Sequence, residues 1–208
     1  MSEPDAVTVV LLHGGNVASW MWEPQVEHLA DLDVRTPALP GVGSRAAEDV
    51  VSLDAPADDV AALVAALPAG RAVHLVGLSY GGIVALRVAA RHPGLVRSVL
   101  ASGAAVDGVP GLAGAVGRAQ LSVWDRRWYW EAQARAFRLP ADARDLFVRS
   151  GLAIRRDTMA RPLRAVSGRA GPAARGAAVH ARPHDLADGG EQRRADDARG
   201  EELERRRR

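Results

Sequence analysis

The chain has 208 residues, enough for one domain or two at most, and its 48% hydrophobic and 25% charged content fits an ordinary soluble globule. It has no Cys, which excludes a disulfide scaffold, a zinc–thiolate site and a Cys nucleophile. All 27 basic residues are Arg, set against 25 acids for a net charge of +2. Residues 1–168 balance at 17 Arg and 17 acids, so no basic stripe marks a nucleic-acid surface. No run of about 18 apolar residues predicts a membrane span. Met1 to Asp5 is acidic and lacks the apolar stretch of a secretory signal, so the cytoplasm is the expected location.

The first predicted element is a strand over residues 6–12, a continuous run rich in Val and Leu that stops at His13-Gly14-Gly15. Such a run reads as a strand buried on both faces, as in a parallel sheet. Ser19 is placed to cap a helix reaching about Leu32, with Trp22, Val26 and Leu29 on one face. Val34 to Leu39 reads as a short strand broken by Pro37 and closed by Pro40-Gly41-Val42-Gly43. Residues 56–67 carry Val60, Leu63, Val64 and Leu67 at helical spacing. A third strand is expected over 72–77, a helix over 80–91 that ends before Pro93, and a fourth strand over 96–101. Four alternations of strand and helix predict an α/β fold with a parallel sheet and right-handed crossovers.

The pattern changes after Ala105. Residues 110–165 read as mostly helical and hold six of the nine aromatics: Trp124, Trp128, Tyr129, Trp130, Phe137 and Phe147. Two readings stand: the core of a helical subdomain, or an aromatic lid over a pocket. Residues 169–208 hold only three large apolar side chains, Val179, Leu186 and Leu203, and end in four Arg. So little apolar surface does not offset the entropy of ordering, and a disordered tail is expected there. The expected organisation is a core over 1–168, with a lid insert at about 106–165, followed by the tail at 169–208.

The strongest chemical signal is Gly77-Leu78-Ser79-Tyr80-Gly81-Gly82, between a buried strand and a helix that begins at once. A Ser in that turn projects its hydroxyl from the sheet edge at the positive end of a helix, and small flanking residues let the backbones pass closely. The second signal is His13-Gly14-Gly15-Asn16 directly after the first strand. Backbone N–H groups of such a loop, with that of Tyr80, can hold the oxyanion of a tetrahedral intermediate; loss of one donor lowers the rate about 10²–10³-fold. Gly15 is the first choice of loop donor and Asn16 the alternative. A dinucleotide site is disfavoured, since the glycines lack G-x-G-x-x-G spacing.

With these motifs the chain resembles the α/β-hydrolase family. The matching residues are Val10 to Gly15, Trp20 and Trp22 with Glu23-Pro24, Pro40 to Gly43, the Gly77–Gly82 turn, and Ala90 to Val96, in the family's order. The resemblance covers residues 6–105, and 106–165 more loosely as the lid. It implies a Ser nucleophile at Ser79, oxyanion donors at Gly15 and Tyr80, and hydrolysis of esters, lactones, amides or thioesters without metal or organic cofactor. A small ester-like molecule is then the partner, with neither nucleic acid nor membrane involved.

The family's acid and base, in the order Ser, acid, His, find no clear counterpart. Of six acids between Ser79 and His180, only Asp107 follows a predicted strand. Only His180 and His184 come late enough to be the base, and both sit in the unpatterned tail. His13 reads as structural, His28 as the edge of a helix, His74 as a strand histidine and His92 as the end of a helix. The fold is therefore expected to be incomplete at its C-terminal side, by a reading frame shifted near residues 160–170, by truncation or by a divergent end. The alternative to an enzyme is a non-catalytic protein that keeps a small-molecule pocket. With two strands missing, the 96–101 strand would expose an edge, and self-association is expected.

Overall fold

The computed structural model describes residues 7–67, 72–104, 119–158 and 160, all within Met1–Ala178, the first of the two units into which the chain divides. Among these residues four parallel strands form one sheet in the order β2-β1-β3-β4: β1 Thr8–Leu12, β2 Asp33–Arg35, β3 Val73–Leu78 and β4 Val96–Ser102. The expected parallel α/β sheet is therefore present. Val9 to Leu12 is buried throughout, as the continuous apolar run requires of a strand covered on both faces. Of the expected 34–39 strand only Val34 and Arg35 pair, joined by Asp33 before them, because Pro37 has no N–H to give to a ladder.

Helices α2 (Asp54–Ala65) and α3 (Tyr80–Arg91) cover one face. Val60 and Val64 of α2 and Val84, Ala85 and Val88 of α3 pack on Val10, Leu12, Val73 and Leu75 of the sheet. Leu63 and Leu67, expected on the same face of α2, are only partly buried at its margin. Exposed pairs also join the two helices, Arg91 to Asp58 (3.0 Å) and Arg87 to Asp54.

The helix expected from Ser19 to Leu32 is not continuous. Ser19–Trp22 is a 3₁₀ turn, and α1 covers only Glu23–His28. Pro24 sets the new start, since its fixed φ suits the first turn and its missing N–H is not needed there. Ser19 makes no capping hydrogen bond, and Val26 of α1 is exposed instead of packed.

The aromatic segment forms a second core. A 3₁₀ turn at Gln120–Val123 leads to α4 (Arg127–Ala136) and α5 (Ala141–Ala153). Trp124, Trp130 and Phe147 are fully buried with Val148 and Ile154, and Ala18 and Val42 from the loops after β1 and β2 join them. Trp130 stands edge-on to Trp124 at 4.8 Å between ring centroids and donates its Nε1–H to the Trp124 carbonyl at 2.7 Å. Gly151 lies where any Cβ would sit 2.3 Å from the Trp130 ring, so this helix crossing needs a glycine.

Candidate active site

The register of β1 on β3 pairs Leu12 with Gly77. The loop after β1 and the turn after β3 therefore leave the sheet side by side at the carboxyl ends of the strands, where ligands of parallel sheets bind. Close packing holds them there. A Cβ on Gly81 would lie 2.3 Å from the Leu12 carbonyl oxygen, and one on Gly77 would lie 2.4 Å from the Gly81 backbone. Only glycine at both positions lets the first turn of α3 rest against the end of β1.

Ser79 is the hinge of this turn. Its φ of 51° and ψ of −111° lie outside the regions open to side-chain-bearing residues. Such a conformation stores on the order of 1–3 kcal/mol and persists only where the surroundings enforce it. Here the Ser79 N–H donates to the Ser102 carbonyl at 2.7 Å, and its carbonyl accepts from the Ile83 N–H at 3.0 Å. Its side chain does not cap α3, although Ser often does so at that position. The hydroxyl instead borders a cleft of about 900 Å³.

That cleft also takes in Gly14, Gly15 and Asn16 of the first loop and the start of α3 at Tyr80. The two expected oxyanion donors, Gly15 and Tyr80, thus border the same cavity as Ser79. As the first residue of α3, Tyr80 has no acceptor for its N–H within the helix. Its side chain packs into the sheet core, where burial pushes the phenol's pKa far above its ordinary value. The cleft's outer wall comes from the aromatic segment, with Trp124, Phe137 and Phe147 facing the cavity. The described part of that segment thus forms a core of its own and also contributes to the cleft wall. Trp130 is pure core, Trp124 and Phe147 are core residues that also face the cleft, and Trp128 points to solvent.

Each of the four described histidines is bonded away from Ser79. His13 is fully buried; its Nε2 accepts from the Leu39 N–H at 2.9 Å, so its Nδ1 carries the proton and donates to the Gly14 carbonyl at 2.9 Å. Burial lowers its pKa and keeps it neutral. His28 donates to the Pro24 carbonyl (2.6 Å), His74 shares a hydrogen bond with Ser98 (2.7 Å), and His92 reaches Asp58 (3.1 Å). Asp107, His180 and His184 lie outside the described residues. Among the described residues no group of three or more His, Asp or Glu could hold a metal ion, and no helix is long and apolar enough to cross a membrane.

Sequence reasoning passed over several cleft residues. Gln120 lies on its wall, and its Oε1 accepts from the Tyr129 hydroxyl at 2.8 Å, which in turn accepts from Gln133. The spacing of Tyr129 and Gln133, four apart on a helix, was visible; the approach of Gln120 to them was not.

A strand–turn–helix holding a strained serine, facing a glycine loop across one cleft, defines the fold and site class of the α/β hydrolases. The model of the alpha/beta hydrolase family matches residues 9–205, and the chain belongs to that family. Over 94 residues it is 44% identical to a pimeloyl-(acyl-carrier protein) methyl ester esterase of Aromatoleum aromaticum, a match covering 45% of this chain and 34% of that protein. The chain thus spans about a third of the length of this curated relative. Among solved structures it resembles a carboxylesterase of Nitrososphaera gargenis, with a TM-score of 0.69 at 18% identity over 83% of this chain and 68% of that one. An enol-lactonase of Burkholderia xenovorans LB400 superposes with a TM-score of 0.66 at 18% identity, over 82% of this chain and 68% of that one. These two likenesses establish the fold.

Proposed function

We propose that this chain is a serine hydrolase that cleaves an ester-like small molecule, an ester, lactone, thioester or amide, through an acyl-Ser79 intermediate. The observation that carries the reading is Ser79 itself, held at φ 51° beside the cleft with its hydroxyl not spent on capping α3. Similarity to an esterase over 94 residues supports the same reaction class.

In the proposed reaction the Ser79 oxygen attacks the carbonyl carbon as its proton passes to a base. The N–H groups of Gly15 and Tyr80 receive the developing oxyanion, aided by the positive end of α3. Collapse expels the alcohol, thiol or amine, and water then releases the acid from Ser79 by the same steps. Asp107 is the candidate acid, and His180 and His184 are the candidate bases. The reaction needs no metal or organic cofactor at any step.

Incubation with a fluorophosphonate followed by peptide mass spectrometry tests the reading. The expected result is a single adduct on Ser79, with p-nitrophenyl ester hydrolysis that disappears in Ser79→Ala. Hydrolysis that persists unchanged in Ser79→Ala would sink it. One observation favours a second reading, a small-molecule-binding protein without turnover: all four described histidines are engaged elsewhere. That reading predicts ligand-dependent quenching of Trp20 and Trp124, both on the cleft wall, without any Ser79 adduct.

A further inference from the structure

The described cleft wall is apolar over most of its area, with Trp20, Leu78, Ile83, Trp124, Leu139 and Phe147 among its residues. Its charged members are Glu23, Glu27 and Asp142. None of the described wall residues is basic, in a chain with 27 Arg. A bound carboxylate would therefore meet like charge and, among the described residues, no counter-ion. Glu23 and Glu27 also stand one turn apart on α1, an arrangement mildly unfavourable for the helix itself.

Among the polar wall residues Gln120 is held in one orientation by a relay. Gln133 Nε2 donates to the Tyr129 hydroxyl, which then donates its own hydrogen to Gln120 Oε1 at 2.8 Å. Burial raises the Tyr129 pKa above its ordinary value, so the hydroxyl keeps that hydrogen through the neutral range. In this arrangement the carbonyl of Gln120 is occupied. Its Nε2 has no acceptor among the described residues and is the part left to a ligand.

We propose that Gln120 is a specificity-determining residue, presenting an amide donor to a second, uncharged oxygen of the substrate, with Tyr129 as its positioning residue. The substrate class is then an apolar ester-like molecule that carries a keto, ether or further ester oxygen and no carboxylate. This inference rests on the cleft over Ser79 being the substrate site.

The test is a binding series on Ser79→Ala protein, read by tryptophan quenching, so it does not depend on turnover. The ligands are phenyl hexanoate, its 3-, 4- and 5-oxo analogues, and monophenyl adipate. At least one oxo analogue is expected to bind about three- to tenfold tighter than the hexanoate, the range of one net neutral hydrogen bond. The adipate is expected to bind weakest. In Gln120→Leu the oxo preference falls to about one, and in Gln120→Glu it inverts, because the donor has become an anionic acceptor. Tyr129→Phe reduces the preference in the same direction, an effect that mere loss of helix stability would not produce. Circular dichroism confirms that each variant is folded. Equal binding of hexanoate and every oxo analogue, or a preference that survives in Gln120→Leu, would overturn the proposal. Failure of Ser79 to form an adduct would instead remove the hydrolase reading and leave this binding comparison intact.

Discussion

At the scale of single residues, Ser79 trades stability for placement. Its positive φ is easy for glycine and strained for serine. Ser79→Gly is therefore expected to abolish fluorophosphonate labelling while raising the melting temperature by a few degrees, read by differential scanning calorimetry. A melting temperature that falls would show that the turn is not strained in solution. Gly77 and Gly81 act in the opposite sense. A methyl group at Gly81 meets the Leu12 carbonyl oxygen at 2.3 Å, a backbone atom that cannot step aside without moving β1. Gly81→Ala is expected to destabilise the fold by about 1–3 kcal/mol or more in urea unfolding. His13 shows a third kind of constraint. Its role is structural, as its place after the first strand implies: it satisfies the buried Leu39 N–H. His13→Ala leaves that donor unpaired, at a cost of about 1–3 kcal/mol before any cavity is counted.

At the scale of elements, the helical segment owes its stability to its aromatics more than to its helices. Trp124 donates Nε1–H to the Ile154 carbonyl at 2.9 Å, receives the edge of Trp130, and shows its remaining face to the cleft. Trp124→Ala is expected to cost about 3–5 kcal/mol and to weaken every ligand of the cleft together, measured by chemical denaturation and by the same quenching titrations. Loss of ligand affinity without loss of stability would mean the helical core stands independently of this residue. Exposed ion pairs carry much less. Arg91 and Asp58 bridge α3 and α2 with roughly half of each side chain in solvent. Arg91→Ala is accordingly expected to change stability by less than about 1 kcal/mol, a difference that salt removes. The rupture of the expected Ser19–Leu32 helix also belongs to this scale. Trp20 donates to Ser150 of α5 at 3.0 Å, which ties the 3₁₀ turn to the far wall of the cleft and lets α1 start afresh at Glu23.

For the molecule as a whole, stability is expected to depend on pH with a definite sign. Burial lowers the pKa of His13 from its usual 6.5, and burial with nearby Arg97 lowers that of His74. Below pH 6.5 the unfolded chain then binds protons that the folded chain does not, so stability falls as pH drops from 6.5. A second loss follows under more acid conditions. Hydrogen bonds from His92 and Arg91 hold Asp58 below its usual 3.8, and one from Arg45 holds Glu48 below its usual 4.5. Their stabilisation is present above those values and fades as the folded groups protonate. Thermal midpoints recorded from pH 8 to pH 3 should be level above 6.5 and decline below it; a maximum near pH 5 would contradict this.

The first, third and fourth strands, the helix over 80–91, most of the helix expected over 56–67 and the Ser79 turn were legible in the chain because each depends on neighbours within a few residues, whereas the strand expected over 34–39 was only begun. Apolar runs bounded by Gly or Pro, helical spacing, and the steric demands of a Gly-x-Ser-x-Gly turn are local properties. The family followed from them, since strand, glycine loop and serine turn succeed one another along the chain. What tertiary structure alone decided is the cleft. Its walls join residues such as Trp20 and Leu146, or Gly15 and Gln120, that are more than a hundred positions apart. No periodicity reports such a meeting, because it arises from two cores packing around a shared loop. The same holds for which aromatics face a ligand, for the partner of His13, and for the relay that orients Gln120. Sequence by itself determined that a serine would be exposed on a strained turn; packing between distant segments decided what surrounds it.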